Sequence, residues 1–192
     1  VRIKFMKILI AGGAGYIGSV LVPKLLDRDY DVDVLDLFWF GNHLPEEATI
    51  IKKDIFDLTE NDLSGYDQIL FLAGLSSDPM ADFSPSENFI SNGAAPAFLG
   101  YMGKRAGVKR YIYASSCSVY GFTSDELYDE DSPTVSNYPY GISKLQGERA
   151  AMQLVDDDFS GICLRKGTVS GYSPRMRLDI CVNTMFRYAM EN

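Results

Sequence analysis

Short β-branched or apolar runs, each closed by turn residues, recur along the chain with helix-length stretches between them. They read "KILIAGG" near 7–13, "DVDVLDL" near 31–37, "TIIKKDI" near 49–55, "QILFLAG" near 68–74, "KRYIYASS" near 109–116 and "SGICLRKG" near 160–167. Helix-like spacing falls between them near 16–28, 86–106 and 140–154, and more weakly near 59–64 and 179–190. Strands that alternate with helices join by right-handed crossovers, so the sheet is mostly parallel and covered on both faces. The expectation is a doubly wound α/β layout. At 192 residues the chain can bury one sizeable core, and one domain over 1–192 is expected. Val1 is not an initiator methionine, whereas Met6 stands just before the first strand, so the core is expected to begin at residue 6.

Charge and composition remove several classes of function. A net charge of -8 with scattered basic residues argues against nucleic-acid and anionic-membrane partners, although a local cationic pocket for a phosphorylated ligand is compatible with it. No apolar run reaches membrane-spanning length, and the start "VRIKFMKILIAGG" lacks the apolar core and cleavage site of a secretory signal. Cys117, Cys163 and Cys181 are odd in number and follow no metal-like spacing, which points to a reducing, cytoplasmic compartment. With His43 as the single histidine, neither a histidine-dependent triad nor a histidine metal cluster can be assembled, and no metal is expected.

The first strand runs into "AGGAGYIGSVLVPKLL", with Gly12, Gly15 and Gly18 around the strand-to-helix turn. Glycine spacing alone is weak, but here a β-rich run precedes, an amphipathic helix follows, and Asp36 ends the second strand about twenty residues on. Glycines let the backbone approach a pyrophosphate, whose charge meets the positive end of the helix. An acidic residue at the end of strand two accepts hydrogen bonds from ribose hydroxyls and repels a 2′-phosphate, which favours NAD over NADP. Asp54 and Ile55 stand at the tip of the third strand, where an adenine could be gripped.

In "NYPYGISKLQGE", Tyr140 and Lys144 are four apart on one helical face. Using a tyrosine of pKa about 10 as a base near pH 7 means stabilising its phenolate by about 4 kcal/mol. One charge at about 4 Å in an effective dielectric near 20 supplies roughly that much, and an oxidised nicotinamide adds a second positive charge. A tuned phenol can remove a hydroxyl proton as the carbon gives up hydride. The strand "YIYASSCSVYG" opens into small hydroxylated residues at its carboxyl end, so Ser115 or Ser116 could hydrogen-bond the same substrate hydroxyl. The longest aperiodic stretch, 121–139, is acidic and turn-rich, a length that in a compact domain marks a functional or mobile loop.

Taken together, "GGAGYIG", Asp36, "LAG" at 72–74, "SSCSVYG" and "YGISK" resemble an extended short-chain dehydrogenase/reductase of the NAD-dependent nucleotide-sugar epimerase/dehydratase group, across nearly the whole chain. The resemblance implies a Rossmann-type domain and a dinucleotide contacted by Tyr16 and Ile17 of the glycine loop and by Leu72, Ala73 and Gly74. It places the catalytic hydroxyl on Ser116, beside Tyr140 and Lys144, sets Lys144 on the nicotinamide ribose, and makes Asn92 the helix asparagine facing the site. It also implies a nucleotide-sugar substrate and a homodimer paired through helices 86–106 and 140–154. The sugar 4,6-dehydratases of the group carry an Asp–Glu pair directly after the catalytic hydroxyl. Cys117 and Ser118 stand there instead, which favours epimerisation, or one-way reduction of a keto-sugar, over dehydration. Family members continue beyond "TVSGYSPRMR" into a substrate-closing portion that is largely absent here, so a non-catalytic dinucleotide sensor or partner subunit is the reading from a different class. Arg175 and Arg177 are two cations that could meet a substrate diphosphate.

Overall fold

A computed structural model describes residues 6–122 and 127–191. Its centre is a six-stranded sheet of order β3-β2-β1-β4-β5-β6, built from β1 Lys7–Ala11, β2 Asp31–Asp36, β3 Thr49–Lys52, β4 Gln68–Phe71, β5 Arg110–Tyr113 and β6 Ser160–Cys163. All neighbours run parallel. The doubly wound, Rossmann-type expectation is therefore met, with the order reversing between β1 and β4. Alternate residues of the strands feed two cores. Ile8, Ile10, Val32 and Val34 pack with Val22 of helix α1 (Gly18–Leu26) on one face. Leu9, Leu35, Phe71, Tyr111 and Tyr113 pack on the other face with Leu99 and Ala151, which two later helices contribute.

Several elements are shorter than the periodicity predicts, for local reasons. Strand β3 ends at Lys52 because Asp54 caps a one-turn helix, its Oδ1 accepting the Phe56 N–H at 2.9 Å. Strand β6 ends at Cys163, although an isolated bridge between Ser116 and Lys166 carries the pairing further. The short helix α2 (Asp78–Phe83) was not expected, since six residues leave almost no periodicity to read.

The helix expected over 86–106 is interrupted. It comprises α3 (Pro85–Phe89), a π-helical turn (Ile90–Ala94) and α4 (Ala95–Arg105). Helix α5 (Pro139–Met152) packs against that turn through Gly147, where a Cβ would stand 2.3 Å from the Asn92 carbonyl oxygen. Backbone contact this close fixes the face of α5 that carries Tyr140 and Lys144. A last helix, α6 (Cys181–Glu191), leaves Met185, Phe186 and Met190 exposed. Among the described residues no helix is long and apolar enough to cross a membrane.

Candidate active site

At the carboxyl ends of the strands, over the point where strand order reverses, lies a cleft of about 500 Å³. Gly12, Gly15, Tyr16, Ile17, Gly18, Leu72, Gly74, Ser116 and Tyr140 all line it. Gly12 has φ +79, and a Cβ there would come within 2.4 Å of the Ala73 nitrogen. No side chain is tolerated at that position, which brings the turn backbone against the end of β4. Ala73 itself lies behind the lining, half-buried against the core. A Cβ on Gly18 would meet the Gly13 oxygen at 2.1 Å, so α1 can start only this close to the turn with glycine there.

Asp36 points its carboxylate back at this turn: Oδ2 accepts the Ala14 N–H at 3.0 Å and Oδ1 the Phe38 N–H at 2.8 Å. Phe38 consequently adopts φ 57, rare for a bulky residue and costing about 1–2 kcal/mol. The bend carries Trp39 and Phe40 to the cleft, two aromatic residues that no sequence pattern singled out. Asp54 and Ile55 take no part in the lining; the first caps its turn and the second packs on the core. Asn92 is fully buried. Its Nδ2 donates to the Leu75 carbonyl at 2.8 Å and to Asn88 Oδ1 at 2.9 Å, so it holds the segment after β4 from beneath and does not reach the cleft.

The two serines at the end of β5 part company. Ser115 Oγ donates to buried Glu148 at 2.7 Å, and Glu148 is gripped by Arg165 with Nη2 at 2.6 Å. Ser116 faces the cleft, with its Oγ accepting the Ser118 N–H at 3.1 Å and interacting with the Tyr140 phenol. Burial raises the pKa of that phenol, while Ser116 and the charge of Arg177 pull it down and Cys117 and Asp78 push it up. Lys144 is buried one turn on, its Nζ 4.5 Å from the centre of the Tyr113 ring. Burial, aided by nearby Lys166, brings the Lys144 ammonium down to about 7. Burial thus works against the charge that the single-cation arithmetic for Tyr140 assigns to Lys144.

Residues 171–183 form a strap across the cleft. The Tyr16 hydroxyl donates to the Gly171 carbonyl at 2.6 Å, Ser173 Oγ donates to the Tyr16 carbonyl at 2.8 Å, and Asn183 Nδ2 donates to the Tyr16 hydroxyl at 3.0 Å. Arg175 lies 3.8 Å from the centre of the Phe40 ring. Arg177 donates to Ser76 and pairs with Asp179. These contacts span more than 150 residues of chain for Tyr16, which is why local sequence patterns could not expose them. Lys166 and Thr168, just past β6, also line the cleft without having been expected. The acidic stretch 121–139 falls partly outside the described residues, which omit 123–126. At its described base the Tyr120 hydroxyl donates to the Asp129 carbonyl at 2.7 Å and Arg165 Nη1 to the Glu130 carbonyl at 3.0 Å.

The family described as the NAD dependent epimerase/dehydratase family matches residues 8–190. A UDP-glucose 4-epimerase of Corynebacterium glutamicum is 33% identical over 144 residues, covering 73% of this chain and 44% of that protein. The chain thus spans about half the length of the curated relatives it matches. Among solved structures, a UDP-glucuronic acid 4-epimerase from Bacillus cereus, in complex with UDP-glucuronic acid and NAD, superposes with a TM-score of 0.84 at 28% identity, over 97% of this chain and 63% of the other. TunA, an NAD-dependent NDP-hexosamine 5,6-dehydratase involved in tunicamycin biosynthesis, superposes with a TM-score of 0.85 at 29% identity, over 96% and 61%.

Proposed function

The chain belongs to the NAD dependent epimerase/dehydratase family, and on that premise we propose that it forms the dinucleotide-binding part of a sugar-nucleotide epimerase. The observation that carries this reading is the convergence of the glycine turn, Ser116 and Tyr140 on one cleft at the strand ends. The residues present fit NAD. Gly12 and Gly15 keep side chains out of the cradle at the start of α1, a helix with no acidic residue in its first turn, and Asp36 ends β2 beside that turn. Tyr16, Ile17, Gly18, Leu72, Ala73 and Gly74 would wall the same groove, with Asn92 supporting it from below.

When bound, the oxidised nicotinamide supplies the hydride acceptor. Tyr140 takes the proton from the sugar hydroxyl, Ser116 aligns that hydroxyl, and Lys144 holds the ribose and favours the phenolate. The epimer would form once the ketone has presented its other face, when the hydride returns to that carbon and Tyr140 returns the proton to its oxygen. Cys117 and Ser118 offer no carboxylate for water elimination, which favours epimerisation over the dehydration named for TunA. The substrate is a nucleotide-sugar, and Arg175 and Arg177, on the strap, line the cleft where its diphosphate would lie. We place the protein in the cytoplasm as a homodimer paired through α3–α4 and α5, where Phe89, Ile90 and Tyr101 are exposed.

The test is a screen of UDP-, GDP- and dTDP-sugars against the full-length protein by thermal shift with and without NAD, followed by product analysis. Interconversion of two sugar epimers under trace NAD is expected. Stoichiometric consumption of NAD(P)H would instead identify a keto-sugar reductase, and NAD binding without any turnover a sensor or partner subunit.

A further inference from the structure

Of the two serines at the end of β5, Ser116 meets the Tyr140 phenol, whereas Ser115 gives its hydroxyl to Glu148, about two turns further along α5. Tyr140, Lys144 and Glu148 follow one another at four-residue spacing and so share one face of that helix. The Glu148 carboxylate is buried, and both of its oxygens are used. Oε2 accepts from Ser115 Oγ at 2.7 Å and from Arg165 Nε at 3.2 Å, and Oε1 accepts from Arg165 Nη2 at 2.6 Å and Nε at 3.1 Å. Arg165 Nη1 continues to the Tyr120 hydroxyl and the Glu130 carbonyl, both at 3.0 Å. The residue after Arg165, Lys166, bridges to Ser116, and its carbonyl accepts the Cys117 N–H at 2.9 Å. One carboxylate therefore joins the strand end that carries Ser116, the helix that carries Tyr140 and the segment paired beside them.

Burying a charged pair is a poor way to gain stability, since uncharged side chains of similar volume often pack in its place equally well or better. Apolar contact is also non-directional. It would press α5 onto its neighbours, as the close approach at Gly147 already does, without fixing how far the helix slides along the strand end. Hydrogen bonds of defined length and angle do fix it. We propose that Glu148 is a positioning residue for the reaction: held by Arg165, it ties Ser115 to α5 and so sets the Ser116 hydroxyl against the Tyr140 phenol. The proposal rests on the reading of Tyr140 and Ser116 as the pair that acts on the sugar hydroxyl. Neither Glu148 nor Arg165 lines the cleft, so their effect passes through Ser115 and the helix. A displacement of about 1 Å at a reacting group can cost about 10²-fold in rate, the scale on which a loosened tie would register.

The experiment uses the full-length protein. Ser115→Ala removes one hydrogen bond and adds no volume. A second variant, Ser115→Ala with Glu148→Met and Arg165→Met, replaces the network by apolar groups, and its urea midpoint is expected to match or exceed the parent's. Both variants should still bind NAD, read from quenching of Trp39, the single tryptophan. With the nucleotide-sugar that the screen identifies, kcat should fall about tenfold in Ser115→Ala and further in the second variant, while KM stays within about twofold. A readout without turnover is the nuclear magnetic resonance signal of Tyr140 in protein whose tyrosines are isotopically labelled at Cζ, assigned by its loss in Tyr140→Phe. In the NAD complex this signal should shift in both variants, because the contact with Ser116 is altered. Unchanged kcat with an unmoved Tyr140 signal in a stable apolar variant would make Glu148 and Arg165 a structural pair and overturn the proposal, as would a raised KM at unchanged kcat. Should the apolar variant fail to fold, Ser115→Ala decides by the same two readouts. Retained turnover in Tyr140→Phe would overturn the proposed function and this role with it, whereas unaltered turnover in Ser115→Ala of a Tyr140-dependent enzyme would overturn this role alone.

Discussion

Two tyrosines at opposite ends of the strands, Tyr66 buried and Tyr140 half-buried, sit in contrasting electrostatic surroundings. Tyr66, just before β4, donates its hydroxyl to buried Asp33 of β2, which Lys7 also reaches at 3.1 Å while lying 4.9 Å over the Tyr66 ring. Burial, the hydrogen bond to Asp33 and the charge of Asp33 all push the Tyr66 phenol upward, so it is locked in its neutral form. Tyr140, at the carboxyl edge, is pushed up by burial but pulled down by Ser116 and Arg177. The first phenol has every influence aligned and serves as a strut. The second has influences opposed, so a single added charge can change its protonation. Burial is common to both; opposition is what fits a group for proton transfer.

The strongest way to break this contrast is to delete each hydroxyl in turn. Tyr140→Phe in the full-length protein is expected to lower turnover by about 10²–10⁴-fold, the usual contribution of a positioned acid–base group. Folding and the NAD-dependent quenching of Trp39 should survive. Tyr66→Phe should do the reverse: it removes a buried hydrogen bond to a carboxylate and should cost about 1.5–3 kcal/mol in urea unfolding, with turnover unchanged. Loss of turnover in Tyr66→Phe, or loss of stability without loss of turnover in Tyr140→Phe, would show that the two roles have been exchanged.

Sequence reasoning reached these two residues unequally. Tyr140 was legible because its partners are local or lie at a strand end: Lys144 is one helical turn away, and the serines close an apolar run. The glycine turn and Asp36 were legible for the same reason, since a strand, a turn and a helix in succession leave a contiguous signature. Tyr66 was not, because its partner Asp33 lies 33 residues earlier, inside a strand whose alternation makes an aspartate look like an outward residue. The strap was hidden more completely. Arg177 stood out only as a loop cation and Ser173 and Asn183 not at all, and their partners Tyr16 and Ser76 are brought near only by the sheet. The π-turn at Ile90–Ala94 escaped as well, because an inserted residue leaves apolar spacing nearly helical. Chemistry carried by short-range spacing could be read; positioning carried by tertiary contact could not.

The last test concerns the lysine that links the two halves of this comparison. Burial brings the Lys144 ammonium down to about 7 in the folded protein, against 10.5 when unperturbed. Below about pH 7 both folded and unfolded chains hold the proton, and the folded chain bears the full penalty of a buried ammonium. Between about 7 and 10.5 only the unfolded chain holds it, so unfolding takes up a proton and stability rises with pH from this group. Above 10.5 neither form is charged and the penalty is gone. Lys144→Met keeps the length and removes the charge, so its stability relative to the parent should be greatest at pH 6 and should decline steadily toward pH 10. Urea midpoints of the two ligand-free proteins across that range measure the difference directly. A difference independent of pH would mean that Lys144 keeps its charge in the folded protein. Tyr140 would then have a permanent cation one turn away, as its role in proton transfer requires.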